Sequence, residues 1–301
     1  MATRLAAFLV RLTLAAWVGT TTLDLCQAQP PVVPKRSPPL AGLADVVAPS
    51  VGAAVETTWE RVGAIPEGFV PQGLAVHRGE LVLTAHARDQ HSSLFVGKFD
   101  DGAVEFQRRF DFPIEATHTS GIDFHPENER LMVCVDYNSD KIYGIDFVES
   151  CRAGRAKVLA TSDAQLAGTS ACCFLRHEAR WRLIVTDFRN SGRNYLYEID
   201  RETGAAVRLE NSYRNWGFSQ GIKRHGAGLL ESGNLVLGSY VLWHDPRKAL
   251  ARDRIEVIEW LRGPDRGIED IVVFDGYLYT TSEASFGVYR TKLPRQFDEL
   301  R

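Results

Sequence analysis

Residues 118–147 read HTSGIDFHPENERLMVCVDYNSDKIYGIDF. Three short apolar runs, SGIDF, LMVCV and KIYGIDF, are separated by HPENER and DYNSD, segments of the Pro, Asn, Ser and Asp type that break strands and build turns. Alone this is a three-strand meander. Copies of its first run recur as QGLAV at Gln72, SACCF at Ser170, QGIKR at Gln220 and EDIVV at Glu269, at intervals of 48, 50, 50 and 49 residues. A second run follows each: LVLTAH from Leu81, LMVCVD from Leu131, LIVTDF from Leu183, LVLGSY from Leu235 and LYTTSE from Leu278. Third runs stand at SLFVGKF, KIYGIDF, NYLYEID and GVYRTKL, and fourth runs at AVEFQRRF, AKVLATS, AAVRLEN and RIEVIEW. In the fourth unit VLWHDPRKALARD is expected to displace or distort the third strand.

A period near 50 with several short strands per unit, and almost no helical periodicity between them, predicts an all-β β-propeller of five four-stranded blades. The fifth unit ends near Pro294 with three strands, and TTWERVGAIP from Thr57 precedes the first unit without a partner. Joining the two completes the last blade and closes the ring, which removes open sheet edges. A β-sandwich or two stacked meanders is the alternative.

The folded domain is expected over residues 57–301. Before it, residues 29–56 are rich in Pro, Ala and Val and read as an extended linker. Residues 1–28 carry two arginines, a short apolar core and a CQA site, the pattern of a secretory signal peptide with too few consecutive apolar residues to span a bilayer. Export to the periplasm or outside the cell is the expectation, with no integral span after cleavage. The net charge of −3 and the absence of like-charge blocks give no attraction to nucleic acid. Four cysteines remain after cleavage, without a zinc-site spacing; one disulfide among them is left open. A monomer is expected.

In a propeller the loops before the first strand and between the second and third strands converge on one mouth of the central channel, where ligands bind. The repeat places Gln72, Ser120, Ser170, Gln220 and Glu269 at the start of the inner strands, followed by Gly73, Gly121, Ala171, Gly221 and Asp270. Four small residues suit crowded inner strands, and Asp270 breaks the rule, so its carboxylate needs water, hydrogen bonds or a cation. The second strands end at His86, Asp136, Asp187, Tyr240 and Glu283. His118, Asp89, His91, Asn138 and Arg189 join the same rim. Asp136, Asp187, Asp270 and Glu283 are the candidate ligands for Ca²⁺ or Mg²⁺, and His86 and His118 the candidate acid–base pair. Gln72, Ser120, Gln220, Tyr240 and Glu269 are candidate ligand-binding residues. Aspartates at strand ends also hold turns through hydrogen bonds to nearby backbone, and Asp136 and Asp187 fit that role as well.

The phrases VPQGLAV, HTSGIDFHPENERLMVCVDYNSDKIYGIDF and GIEDIVVFDGYLYTTSEAS resemble the NHL-repeat and SMP-30/gluconolactonase-like propellers. The resemblance covers about Thr57 to Pro294. It implies calcium- or magnesium-dependent hydrolysis of lactones or phosphotriesters, with the metal held over the channel by an early Glu and by later Asn and Asp. Gln72 stands where that Glu is expected, and five repeats stand where six are common. Two functions follow. The first is an exported propeller that binds a small molecule or a protein partner at the mouth without catalysis. The second is a divalent-metal-dependent hydrolase, lactonase- or phosphotriesterase-like, or a lyase.

Overall fold

The computed structural model of the protein describes residues 54–298 apart from 88–90, 114, 167, 189–191 and 236–237. The signal-peptide and linker readings, except for the last three linker residues, lie outside the described residues, as do Asp89 and Arg189.

Strand β1 (Glu60–Ala64) is followed by four consecutive antiparallel runs of four strands. The first is β2 (Phe69–His77), β3 (Glu80–Ala87), β4 (Ser92–Asp100) and β5 (Ala103–Asp111). The second is β6 (Thr119–Phe124), β7 (Leu131–Asp136), β8 (Lys141–Asp146) and β9 (Val158–Asp163). The third is β10 (Thr169–His177), β11 (Arg180–Asp187), β12 (Arg193–Ile199) and β13 (Ala206–Arg214). The fourth is β14 (Ser219–His225), β15 (Gly228–Leu235), β16 (Gly238–His244) and β17 (Val257–Arg262). The fifth, β18 (Ile268–Phe274), β19 (Tyr277–Ser282) and β20 (Gly287–Lys292), is completed by β1, which pairs antiparallel with β20. Closure by the N-terminal strand is therefore as the sequence predicts. A single parallel pair, Gly63 with Val104, also joins β1 to β5.

Each inner strand packs against the next, β2 on β6, β6 on β10, β10 on β14, β14 on β18 and β18 on β2, so the chain is an all-β propeller. Local chemistry sets the hairpins: Asp101–Gly102 and Asp275–Gly276 both lie at positive φ, as a two-residue type I′ turn requires. The apolar core is divided into the seams between blades. Leu74, Leu81 and Leu83 meet Val272, Tyr279 and Val288 between the first and fifth, and Leu230, Val241 and Trp243 meet Ile268, Ile271 and Leu278 between the fourth and fifth. Alternate faces of every strand thus point into alternate seams.

The inner strands approach as closely as their small residues allow. A Cβ on Gly121 would lie 2.4 Å from Ala171 Cα, and one on Gly73 2.0 Å from the Ser120 carbonyl oxygen. Side-chain bonds then pass round the ring. Thr84 Oγ1 donates to Ser120 O at 2.7 Å, Ser120 Oγ to Thr169 O at 3.0 Å, Ser170 Oγ to Ser219 O at 2.6 Å and Ser232 Oγ to Glu269 O at 2.7 Å. The last link differs: Asp270 Oδ2 accepts from Leu74 N at 2.9 Å and joins the fifth blade to the first.

The fourth blade corrects the sequence reading. Its second strand is GLLESGNL, not LVLGSY, and its third strand is GSYVLWH, so Tyr240 sits on a third strand. Glu231 and Ser232 interrupt the apolar pattern of that second strand. The third strand is not displaced: α2 (Pro246–Arg252), with Asp245 as N-cap, follows it, as α1 (Phe147–Ala153), with Asp146 as N-cap, follows β8. A third short helix, α3 (Arg295–Asp298), follows β20. Cys134, Cys151, Cys172 and Cys173 are free thiols.

Candidate functional site

Strand register defines the mouth. The amides of Tyr137, Phe188, Asn234 and Glu283 donate to the carbonyls of His118, Gly168, Phe218 and Gly267, and His86 pairs with Val70 at the corresponding place. The rim is therefore His86, Tyr137, Phe188, Asn234 and Glu283, one residue beyond Asp136 and Asp187 in their blades. His86 and Glu283 were expected there. Tyr137 and Phe188 were not, because the sequence register stopped at the aspartates, and Asn234 was not, because the second strand of the fourth blade was read too far along the chain.

One side of the rim is aromatic. His86 stacks on His118 at 4.2 Å, His118 lies 5.2 Å from Tyr137, Tyr137 6.1 Å from Phe188, and Phe188 5.7 Å from Phe218. Gly168 leaves the room that Tyr137 occupies, its missing Cβ lying 3.1 Å from that ring. Phe218 is held at φ 53°, a left-handed conformation that is costly for a residue with a Cβ.

Below this wall the polar groups are engaged. Gln72 Nε2 donates to Pro71 O at 2.7 Å, which leaves its Oε1 to accept from His118 Nε2 at 2.8 Å, so His118 carries its proton on Nε2. Burial, and then the adjacent His86, push the His118 pKa down to about 3. His86 is also lowered by burial, against the opposing pull of Asp136, and its Nδ1 is buried without a hydrogen-bond partner. On the opposite side Gln220 Nε2 reaches Glu269 Oε1 at 3.4 Å. Burial, then Glu283 and Asp270, hold Glu269 well above the usual carboxylate range. Glu283 is exposed at the rim, where partial desolvation and Asp265 raise it as well. The floor thus combines two imidazoles held toward their neutral forms, a carboxyl group held toward its protonated form, two amides and hydroxyls.

The remaining candidates separate. Ser120 spends its hydroxyl on the ring closure described above. Asp136 is fully buried and holds its own turn: Oδ2 accepts from His118 N at 2.7 Å, and Oδ1 from Ser139 N at 2.8 Å and Ser139 Oγ at 2.9 Å. Asp187 is half-buried at the end of β11. Tyr240 lies under the rim, its Oη donating to Gly217 O at 3.0 Å. Asp270 is fully buried and paired with Lys223 Nζ at 2.6 Å. Burial opposes both charges and lifts Asp270 to about 6, while Asp270 and then Asp123 raise Lys223; the short, hydrogen-bonded contact keeps the pair ionised.

The four carboxylates Asp136, Asp187, Asp270 and Glu283 therefore do not fit one cation. Asp136 is saturated by three donors and Asp270 by an ammonium. Among the described residues no three His, Cys, Asp or Glu side chains converge to hold a metal ion. Two concave surfaces lie away from the mouth. One, of about 400 Å³, is lined by His125, Glu127, Asn128, Arg201 and Glu202, and the other, of about 620 Å³, by residues 55–58 and 291–296.

Lys223 and Asp123 were missed by the sequence reading. They stand at the same repeat position, three residues after Gln220 and Ser120, and Asp123 Oδ2 accepts from Phe174 N at 2.8 Å across the next blade. A basic and an acidic residue at equivalent places in inner strands was the available signal.

No protein-family profile matches the chain, and no curated protein sequence matches it. Solved structures with a similar fold include the outer-coat vertex of COPII on membranes, at 10% identity and TM-score 0.42 over 77% of this chain and 65% of that one. A chain of the mitotic checkpoint complex matches at 14% identity and TM-score 0.41, over 85% of this chain and 68% of that one. A protein assigned as an oxidoreductase (glucose dehydrogenase) from Thermus thermophilus matches at 11% identity and TM-score 0.44, over 78% of this chain and 100% of that one. This chain thus spans about two thirds of the COPII vertex chain, 65% of its length. The likeness is one of fold, and the fold rests on the strand pairing above. Among the described residues no helix is long and apolar enough to cross a membrane.

Proposed function

We propose that this protein is an exported propeller whose mouth binds a neutral, hydrogen-bonding ligand with an apolar face, a small molecule or the protruding loop of a partner protein. The observation that carries the reading is the rim itself. Half-buried Tyr137, Phe188 and Phe218 form a wall beside amides, an uncharged acid and two uncharged imidazoles, one of which has an unfilled buried nitrogen. Such a surface offers stacking and hydrogen bonds, with the exposed Glu283 carboxyl group at its edge. The hydrolase reading that the gluconolactonase-like resemblance implies has less support. Two of its carboxylates, Asp136 and Asp270, are engaged elsewhere, and a stacked His86–His118 pair of depressed basicity is a poor general base near neutral pH.

Thermal unfolding against a panel of neutral sugars, nucleosides and peptides tests the proposal. Ligand at 100 times its Kd should add about 2.7 kcal/mol of stability, a shift lost in Phe188→Ala and Phe218→Ala. Hits that survive both substitutions would move the site away from the mouth. A shift with Ca²⁺ or Mg²⁺ alone that is abolished by Asp136→Asn would restore the metal-dependent hydrolase.

A further inference from the structure

Phe218, one end of the aromatic wall of the mouth, sits on the loop from Asn215 to Ser219, and that loop is anchored in the seam between the third and fourth blades. Asn215 Nδ2 donates to Asp187 O at 3.2 Å and to Asn194 Oδ1 at 3.3 Å, and Gly217 O accepts from Tyr240 Oη at 3.0 Å. Trp216 packs edge-on against Tyr240 at 5.5 Å. Behind these anchors lies Glu231, with no exposed surface. Its Oε2 accepts from Asn194 Nδ2 at 2.9 Å, and its Oε1 is buried with no hydrogen-bond partner. One side chain therefore supports the amide that holds Asn215, and Ser219 at the loop's end lies beside the same carboxyl group.

The groups facing Glu231 are Asn194 from β12, Tyr213 from β13, Ser219 from β14, and Tyr240 from β16, with His244 beyond Tyr213, its Nε2 3.1 Å from Tyr213 Oη. None is a lysine or arginine. Tyr213 and Tyr240 are raised by burial and then by Glu231, with Asn194 and Cys173 as smaller influences on Tyr213, and His244 is driven down to about 3 by burial, so all three stay uncharged near neutral pH. An ionised Glu231 would be a buried anion supported by one amide, the neighbouring Ser219 hydroxyl and no cation, whereas the protonated acid is far cheaper to bury.

We propose that Glu231 is a proton-sensitive anchor of the mouth: protonated, it holds Asn194 and the 215–219 loop in place, and ionised, it draws water into the seam and loosens the aromatic wall. Burial raises Glu231 to about 7, which puts the change within reach of neutral conditions. The consequence for ligand affinity rests on the binding reading above, but the loosening of the loop does not.

Amide hydrogen exchange of segment 215–220 in the unliganded full chain, at pH 6 and pH 8 and corrected for intrinsic rates, tests it. A group titrating one unit below pH 8 is ionised about ten to one there, so wild-type protection should fall by up to roughly tenfold. Glu231→Gln, a permanent mimic of the neutral acid, should show equal protection at both values. If that variant does not fold, Glu231→Met is expected to be equally flat. Unchanged wild-type protection, or a fall that persists in either variant, overturns the proposal. Ligand binding that fails while the exchange behaves as expected would overturn only the binding reading.

Discussion

Two seams of the propeller bury a carboxyl group completely and treat it in opposite ways. Asp270, where the fifth blade meets the first and fourth, accepts from Leu74 N, from Ile271 N at 2.8 Å and from the Lys223 ammonium. Glu231, between the third and fourth, has one amide, the neighbouring Ser219 hydroxyl and no cation. Both have zero exposure, so the difference lies in the partners and not in the burial. The first acid is locked as an ion pair and closes the ring; the second is left neutral and titratable. Breaking the locked pair should give the largest effect. Lys223→Met leaves Asp270 buried and uncompensated and should cost about 3–5 kcal/mol in denaturant unfolding. Lys223→Met combined with Asp270→Asn should recover a large part of that loss. A single variant within about 1 kcal/mol of wild type would mean that Asp270 is already neutral, and the contrast between the seams would vanish.

The unpaired acid predicts a pH effect of fixed sign. The folded pKa of Glu231, about 7, lies above its ordinary value of 4.5, so its contribution to stability is fully present below pH 4.5 and is lost as pH rises to about 7. Two and a half units correspond to about 3 kcal/mol for a fully buried group. His77, His86, His118 and His125, all lowered by burial, act in the opposite sense, since their contribution is lost as pH falls below 6.5. The quantity to measure is therefore the difference between wild type and Glu231→Gln. That difference should shift against the wild type between pH 4.5 and pH 7 and stay level above. A flat difference would place the Glu231 carboxyl in contact with water or a cation.

The same contrast explains what was legible in the sequence. The five inner strands, their spacing and the closing strand at Thr57 follow from alternating apolar residues and turn chemistry, which are local properties. The fourth blade was misread because a seam acid, Glu231, interrupts its second strand, and the amide and phenols that tolerate it come from other parts of the chain. A polar residue satisfied across a seam looks, in sequence, like a loop residue. Asp270 stood out because it broke a pattern of small residues, yet its partner Lys223 lies 47 residues away and its bonds tie blades together. At the mouth, His86, His118 and Glu269 were legible as polar rim groups. Tyr137 and Phe188 were not, because a one-residue shift in register moves a different side chain onto the rim, and Phe218, in the loop before an inner strand, carried no repeat signal.

The smallest effect separates backbone from ring at Phe218. The residue sits at φ 53° after Gly217 at φ 81°, in a conformation that glycine adopts freely and alanine does not. Phe218→Ala and Phe218→Gly remove the same ring, so both should lose the same mouth contacts and the same ligand-dependent stabilisation. They differ in that the alanine variant retains the left-handed strain of about 1 kcal/mol, while the glycine variant sheds it and gains some unfolded-state entropy. The glycine variant should thus be the more stable of the two by somewhat under about 1 kcal/mol in denaturant unfolding. That ordering would mean the surrounding bonds, from Phe218 N to Phe188 O and from Asn234 N to Phe218 O, impose the conformation on whatever residue stands there. Equal stabilities would mean the loop relaxes once the ring is gone, and the wall would then be shaped by Phe218 itself and not by the seam beneath it.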